Sequence, residues 1–413
     1  MKKIIYFSFT LLTLVSCSNN NNDNSNNNGG NTSNLNMEEL DLTFNVGEGF
    51  SNPNGNLNNS YIFKIAPFQN GILVANKFAS KYKGVSVGQV CKLNLDGSLD
   101  NSFSTLTSFA NIAGDVYDIL VLSDGKIAVS GNFTVNNVNE TKGIAILNAN
   151  GSLDNSFNVG GTGLAGNGVY ALKEDSQGRI FAGGLMFKLN EDYYSKNIVC
   201  FNRNGSVNTN FQITGNGFNG EIDDIEIKDN KLWVVGRFSI YGGTATKYMA
   251  ILNLDGTLNK TFDDLTDDGS FVDGASRIAF QSSGKALVVG GFRTSDNTNS
   301  VARFNSDGTF DSTFLYNDFF NDGFSPIKIR SLAIMNNDDI VVGGDFAYQS
   351  YRFISVLKSD GTVHPNFNTI NSFTFSISAL YVSPQQEIYV GGSFLSYENT
   401  SIGSIARLKG NKQ

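Results

Sequence analysis

Few side chains in this chain are equipped for covalent chemistry. It holds one histidine, His364, and three cysteines, Cys17, Cys91 and Cys200. A serine or cysteine nucleophile that relies on imidazole therefore has a single possible base. P-loop, dinucleotide-fingerprint, HExxH, paired CxxC and EF-hand patterns are missing from the sequence,. Carboxylates remain. Asp263, Asp264, Asp267, Asp268 and Asp273 crowd the stretch DDLTDDGSFVDG (263–274), and Glu221, Asp223 and Asp224 stand together upstream. A calcium site in the first group would need several oxygens converging on one ion at about 2.3–2.6 Å. Nothing in the spacing enforces that, so the expectation is a solvated loop, with no metal and no cofactor. Two carboxylates cleave a glycosidic bond only when they face each other across it at the proper separation, and adjacency in sequence does not supply that geometry. Binding chemistry is better represented. Tyr193, Tyr194, Tyr241, Phe319, Phe320, Tyr348, Tyr351 and Tyr397 fall in variable connections, where aromatic rings offer flat apolar area to sugar rings or protein partners. The competing expectation is that half or more of them, Phe319 and Phe320 first, pack against adjacent loops.

The N-terminus sets the address. Lys2 and Lys3 precede an apolar run from Ile4 to Val15, too short to span a membrane and typical of an export signal,. The run ends in Leu14-Val15-Ser16-Cys17, which resembles the bacterial lipoprotein box. That resemblance implies cleavage after Ser16, lipid on Cys17 and a place in the bacterial outer membrane, facing periplasm or surface. Residues 17–36 are almost wholly Asn, Ser and Gly, a composition that cannot bury enough apolar surface to order itself and reads as a tether. Without Lys2 and Lys3 the chain carries 28 basic and 38 acidic residues, a net charge of −10, which argues against nucleic acid as partner.

The elements that must position any site repeat. A turn recurs at Asp96-Gly97, Asn150-Gly151, Asn204-Gly205, Asp255-Gly256, Asp307-Gly308, Asp360-Gly361 and Lys409-Gly410, with glycines 54, 54, 51, 52, 53 and 49 residues apart. Such a period belongs to propellers and arrays. Each unit reads as four short antiparallel strands, apolar on both faces and so stacked between neighbours. In the second unit VYDILVL and IAVSGNF flank Ser123-Asp124-Gly125-Lys126, where Asp-Gly predicts a type I′ hairpin. A signature of valine, small residue, glycine, any residue and phenylalanine closes each second strand. Its glycine slot holds Asn76, Gly131, Gly184, Gly236, Gly290, Gly344 and Gly392, which predicts left-handed or bulged backbone. In the third unit two residues separate Gly184 from Phe187, and a bulge or Leu185 in the aromatic place would absorb the difference. An LDxxF stretch follows each recurring turn, its second position a predicted turn cap: Asp41, Asp100, Asp154, Asn208, Asn259, Asp311 and His364,. His364 thus falls in a structural slot. Cys91 and Cys200 lie in different units and are expected to be buried free thiols.

The combination of DG, LDxxF and VGGxF resembles the delta-60 repeat family of bacterial secreted and surface proteins, over residues 38 to 413. That resemblance implies a β-propeller and an extracytoplasmic setting, and it transfers no catalytic residue. The last unit, SIARLKG, lacks a fourth strand, while Glu39–Phe44 is a fourth strand without its first three. The prediction for 37–413 is therefore an all-β, seven-bladed propeller of four-stranded antiparallel blades, its last blade completed by residues 38–44. Short DG turns then lie on one face, above the tether. The connections between second and third strands and between blades, such as 188–197, 315–326 and 347–352, lie on the other. The functional expectation is a non-catalytic binding or scaffold module taking a glycan or protein on that long-loop face. The alternative is a polysaccharide lyase or hydrolase with carboxylates at the channel mouth. Acids converging there with a basic partner would favour the alternative.

Overall fold

The computed structural model describes residues 37, 39–52, 60–77, 81–103, 112–135, 141–190, 192–193, 196–263, 265–266, 274–294, 299–316, 328–348, 351–365, 367 and 373–410. These residues form strands and turns, with no helix. The strands group into antiparallel meanders in chain order. Sheet A holds Tyr61–Phe68, Gly71–Lys77 and Val90–Asn94. Sheet B holds Ile112–Val121, Ile127–Val135 and Lys142–Leu147, and sheet C Leu164–Glu174, Ile180–Leu189 and Ile198–Phe201. Sheet D has Ile222–Lys228, Lys231–Gly236, Met249–Asn253 and Leu258–Thr261. Sheet E has Gly274–Phe280, Ala286–Thr294 and Asn299–Phe304. Sheet F has Lys328–Ile334, Ile340–Tyr348 and Tyr351–Leu357, and sheet G Ile377–Val382, Ile388–Gly392 and Ile405–Leu408.

Because side chains on both faces are apolar, successive sheets stack and share cores. Leu73, Ala75 and Val90 of sheet A pack with Val116, Ile119 and Val129 of sheet B. The largest cluster joins sheets F and G with Ile62, Ile65, Ile72 and Val74 of sheet A. Cys91 and Cys200 are buried free thiols within these cores.

The recurring turn departs from the expected geometry. Gly97 N donates to Asn94 O (2.9 Å) and Asn94 N to Ser98 O (2.9 Å), and within that turn Gly97 alone has positive φ, +78°. Gly125 repeats this, with φ +81° and its N–H on Leu122 O (2.9 Å). These are three-residue turns closed by a left-handed glycine, not type I′ hairpins, because the aspartate keeps an ordinary φ. Paired positive φ occurs at Asp229 (+50°) and Asn230 (+57°), between Lys228 and Lys231.

The fourth strand is shorter than expected. Outside sheet D it shrinks to single bridges such as Leu93–Leu99 and Leu147–Leu153. The LDxxF aspartate is the reason. Asp100 N donates to Lys92 O, completing the ladder, and then its Oδ1 accepts Ser102 N (2.9 Å) while Phe103 N donates to Asp100 O (3.2 Å). The side chain captures the backbone that would have continued the strand. The remaining carboxylate oxygen takes a cation, Lys92 for Asp100 (2.9 Å), Lys126 for Asp154 (2.6 Å) and Lys285 for Asp311 (2.7 Å). His364 holds the same slot, its Nε2 3.5 Å from Asp339 Oδ2.

Residues 39–44 stand to the last strand as 98–103 stand to Val90–Asn94. Leu40 bridges Leu408, Asp41 N donates to Arg407 O (2.8 Å), Asp41 Oδ1 accepts Thr43 N (3.0 Å) and Phe44 N donates to Asp41 O (3.1 Å).

The glycine slot answers to a bulge on the facing strand. In every meander the first strand slips register after the residue that faces the slot, as between Ile62 and Lys64, Val116 and Asp118, and Ile222 and Asp224. The extra residue thrusts the preceding carbonyl at the slot, and a Cβ on Gly236 would stand 2.1 Å from Glu221 O. Gly236 does not have positive φ, so of the two expected causes the bulge operates and the left-handed backbone does not. Sheet A accommodates Asn76 there by turning its Nδ2 onto Gly88 O (2.8 Å). In sheet C the second strand bulges at Phe187, the register stepping from Ala165–Lys188 to Gly166–Met186, and Leu185 does not take the aromatic place. Met186, two residues after Gly184 and buried, does so.

Candidate functional site: the mouth between the first strands

The first strands of neighbouring sheets pack against one another in order from A to G, and Tyr61–Phe68 also contacts Ile377–Val382. Charges on these strands act on one another across the space between them. Lys64 of sheet A feels Asp224 of sheet D and Arg277 of sheet E, although sheets B and C lie between A and D. Lys64 keeps 40% of its side chain accessible, so the space is open and not packed core.

Three positions on each first strand supply the lining. The one after the bulge carries Lys64, Asp118, Asp224 and Arg277 in sheets A, B, D and E. Lys64 Nζ lies 2.8 Å from Asp118 Oδ1, while Asp118 Oδ2 accepts Leu172 N (2.8 Å) of the next sheet. Asp224 Oδ2 does the same for Ile278 N (3.0 Å). These acids tie neighbouring sheets together. Burial works against the charge on Lys64, but Asp118 and Asp224 outweigh it and its pKa lies above the usual value. Burial pushes the Asp224 carboxyl up against the pull of Arg277 and Lys64. Deeper in, Lys173 meets Glu226 at 2.5 Å.

At the bulge itself stand Phe63, Tyr117 and Tyr170 in sheets A to C and Asp223 in sheet D. Tyr61 and Phe63 approach to 4.7 Å between centroids, Phe63 meets Tyr117 edge-on at 5.0 Å, and Tyr117 stacks on Tyr170 at 5.1 Å with a 22° tilt. Gly168 makes room for the stack, since a Cβ there would stand 2.6 Å from Tyr117 Cε2. Burial and the neighbouring Asp115 push the Tyr117 phenol up to about 12. Next to this run Arg237 spans two acids, Nη1 lying 3.4 Å from Glu221 Oε2 and Nε 3.5 Å from Asp223 Oδ2. Asp223 Oδ2 accepts no hydrogen bond. Burial raises its carboxyl from the ordinary 3.8 to about 7, against the pull of Arg237. Because first strands begin on the face where the long connections leave, and the bulges sit near those beginnings, this mouth opens on the long-connection face.

The loop aromatics fare differently. Tyr241 and Tyr397 are fully buried, which corrects their assignment as ligand contacts. Tyr241 packs at a tilt on Phe218 (4.5 Å) and donates its hydroxyl to Gly256 O (2.5 Å), and Tyr397 packs on Phe373 (4.7 Å). Tyr82 does likewise with Gly97 O (2.6 Å). The cause is the route of the long connections. Asn45 N donates to Asp96 O, Asn158 N to Asn204 O and Gln212 N to Asp255 O, so these segments reach the short-turn end of the next sheet along its outer edge instead of all standing on one face. Tyr193 pairs with Lys188, and Tyr348 with Tyr351, in ribbons that extend the second strands of sheets C and F. Tyr194, Phe319, Phe320 and Cys17 lie outside the described residues, as does most of 263–274. Among the described residues no group of three His, Cys, Asp or Glu side chains could hold a metal ion. Tyr61, Phe63, Tyr117 and Tyr170 were not anticipated. Their signal was an aromatic residue just after the apolar opener of the first units, and Asp223 follows Ile222 in the same place. Glu221 borders a strand that contains Asp223 and Asp224.

Four segments, 70–103, 122–157, 228–262 and 281–314, match the model of a domain of unknown function (DUF5122) described as a beta-propeller. Two solved structures share the fold across most of this chain. A streptogramin B lyase is 12% identical, with 85% of this chain and 93% of that one covered and a TM-score of 0.51. The extracellular domain of a protein described as a one-component system from B. thetaiotaomicron is 12% identical, with 84% of this chain and 38% of that one covered and a TM-score of 0.50. No curated protein matches. With its antiparallel meanders stacked face to face, the chain is a β-propeller.

Proposed function

We propose that this protein is a lipid-anchored extracytoplasmic propeller of seven blades, closed by residues 37–44, that acts as a non-catalytic binding module. Its ligand, glycan or protein, meets the long-connection face. The observation that carries the binding reading is the aromatic run Tyr61, Phe63, Tyr117 and Tyr170 beside Glu221 and Asp223 at the mouth on that face. Closure is supported by the bonds of residues 39–44, which repeat those of an internal joint. The anchor at Cys17 rests on the signal sequence alone, and it would place the bacterial outer membrane beneath the short turns. A polysaccharide lyase or hydrolase is the second reading, favoured by the raised carboxyl of Asp223 and the converging Glu221 and Arg237. We rank it lower because Arg237 already engages both acids and the one histidine is held by Asp339 in a turn.

The test is capture from envelope extract on full-length protein. Wild type is compared with Tyr117→Ala/Tyr170→Ala and with Tyr193, Tyr194, Tyr348 and Tyr351 all changed to Ala. Loss of the same captured species in either variant is expected, and identical recoveries in all three would reject a binding face there. Turnover of an envelope polysaccharide that vanishes in Asp223→Asn would establish the second reading. Cys17→Ala should move the protein to the soluble fraction.

A further inference from the structure

We propose that the mouth is a saccharide site in which a pyranose ring of a neutral oligosaccharide lies on the Tyr170 ring face turned toward sheet D, its hydroxyls meeting the accessible edges of Glu221 and Asp223. This names the ligand class of the binding module proposed above and rests on that reading.

Three features of the mouth carry it. First, the platform is built and not incidental. Among the described residues Tyr117 is the one ring stacked on Tyr170, and sheet order places Tyr170 between Tyr117 and the acids of sheet D, which act on its phenol. The Tyr170 hydroxyl donates to Asn167 O (3.1 Å), which leaves the ring face as the contact surface. The axial C–H groups of a pyranose match such a surface, and its equatorial hydroxyls need acceptors around the rim. Second, acceptors are there. Glu221 and Asp223 keep 17% and 12% of their side chains accessible, and both act on the Tyr170 phenol. Third, the charges cancel. Lys77 is paired with Asp115 (2.7 Å), Arg237 with Glu221 and Asp223, and Arg330 with Asp345. A cationic peptide would find its acids already engaged, and an acidic polysaccharide would meet carboxylates, so an uncharged polyol fits the mouth best.

The test is calorimetric titration of full-length, detergent-solubilised protein with cellohexaose, laminarihexaose, maltohexaose, xylohexaose and mannohexaose, and with polygalacturonate and pentalysine as charged probes. At least one neutral hexaose should bind. Tyr170→Ala should weaken it by about tenfold or more, the loss expected for one aromatic stacking partner, whereas Tyr170→Phe should stay within about threefold because the ring face is kept. Melting curves matching wild type would show that Tyr170→Ala is folded. If no neutral hexaose binds, or if binding ignores Tyr170→Ala, the proposal is wrong. Tyr170-dependent binding of pentalysine or polygalacturonate alone would also overturn it while leaving the binding-module reading intact. That broader reading fails separately, in the envelope capture.

Discussion

Asp41→Ala is the sharpest probe of the seam between the two ends of the chain. Arg407 is buried, with 5% of its side chain exposed, and Asp41 Oδ2 accepts from its Nε at 3.0 Å and lies 2.9 Å from Nη2. Its other donors reach Leu95 O (2.8 Å), Tyr389 Oη (3.0 Å) and Thr43 Oγ1 (2.8 Å), and the guanidinium lies over Phe44 at 5.1 Å. An internal joint copies this arrangement. Arg303 Nε donates to Asp311 Oδ2 (2.7 Å) and Nη1 to Ser359 O (2.7 Å), over Phe314 at 4.7 Å. Removing one partner of a buried ion pair costs about 3–5 kcal/mol, and Asp41→Ala leaves Arg407 only the more distant Glu387, 3.7 Å from Nη1. Asp41→Ala should therefore destabilise within that range, and Asp311→Ala, which also strips Lys285 of its partner oxygen, by at least as much. In Asp41→Ala/Arg407→Met the closest pair of charges goes together, and Glu387 loses only its 3.7 Å contact with Arg407 Nη1, so the double variant should recover at least about 1 kcal/mol relative to the sum of the single changes. Urea unfolding followed by Trp233 fluorescence reads the effect, because Trp233 is buried in sheet D, far along the chain from the seam. If the Trp233 transition shifts by less than about 1 kcal/mol in Asp41→Ala while Asp311→Ala shows the full loss, the pairing of residues 39–44 with the last strand does not hold the propeller together.

Other perturbations follow from single sites. Gly236→Ala places a Cβ against Glu221 O and should cost at least about 2 kcal/mol in the same assay, since backbone and not a side chain must move,. Asp223 binds its proton more tightly folded than unfolded, so its contribution is most favourable at low pH and is lost as pH rises from about 4 through about 7,. Asp223→Asn, which cannot ionise, should thus melt higher than wild type at pH 8 and about equally at pH 4; a gap of the opposite sign would refute the raised carboxyl. Asp100 runs the other way. Hydrogen bonding from Ser102, with Lys92 alongside, lowers its pKa to about 2, so its stabilisation is present above pH 4 and fades toward pH 2, and Asp100→Asn should flatten that acid limb. Burial pushes both the Cys91 and Cys200 thiols up to about 12, so neither should react with a thiol reagent at pH 8 until urea unfolds the protein,.

What was readable from the sequence is whatever repeats. The Asp-Gly turns, the LDxxF cap and the apolar strands recur because every sheet solves the same local problem, and recurrence separates that solution from chance. The pairing of Leu40 with Leu408 was readable for the same reason, as a missing fourth strand at one end and a spare one at the other. The turn type was misjudged because Asp-Gly suits both a two-residue turn and a three-residue turn, and only the partner carbonyl, Asn94 O in the first sheet, decides between them. The glycine slot likewise depends on a bulge in the facing strand, which no local pattern in the slot's own strand records.

The site belongs to tertiary structure. Tyr241 and Tyr397 looked like exposed loop aromatics, but the connections carrying them descend the outer edges of the sheets and bury both rings. Tyr117, Tyr170 and Asp223 looked like ordinary strand residues from separate units, 53 positions apart at each step. A unit-by-unit reading treats them as variation in a repeat. They become one surface because stacking brings every first strand to the same central space, where each sheet contributes a single side chain per level and the identity of the neighbours, not of any one residue, sets the chemistry.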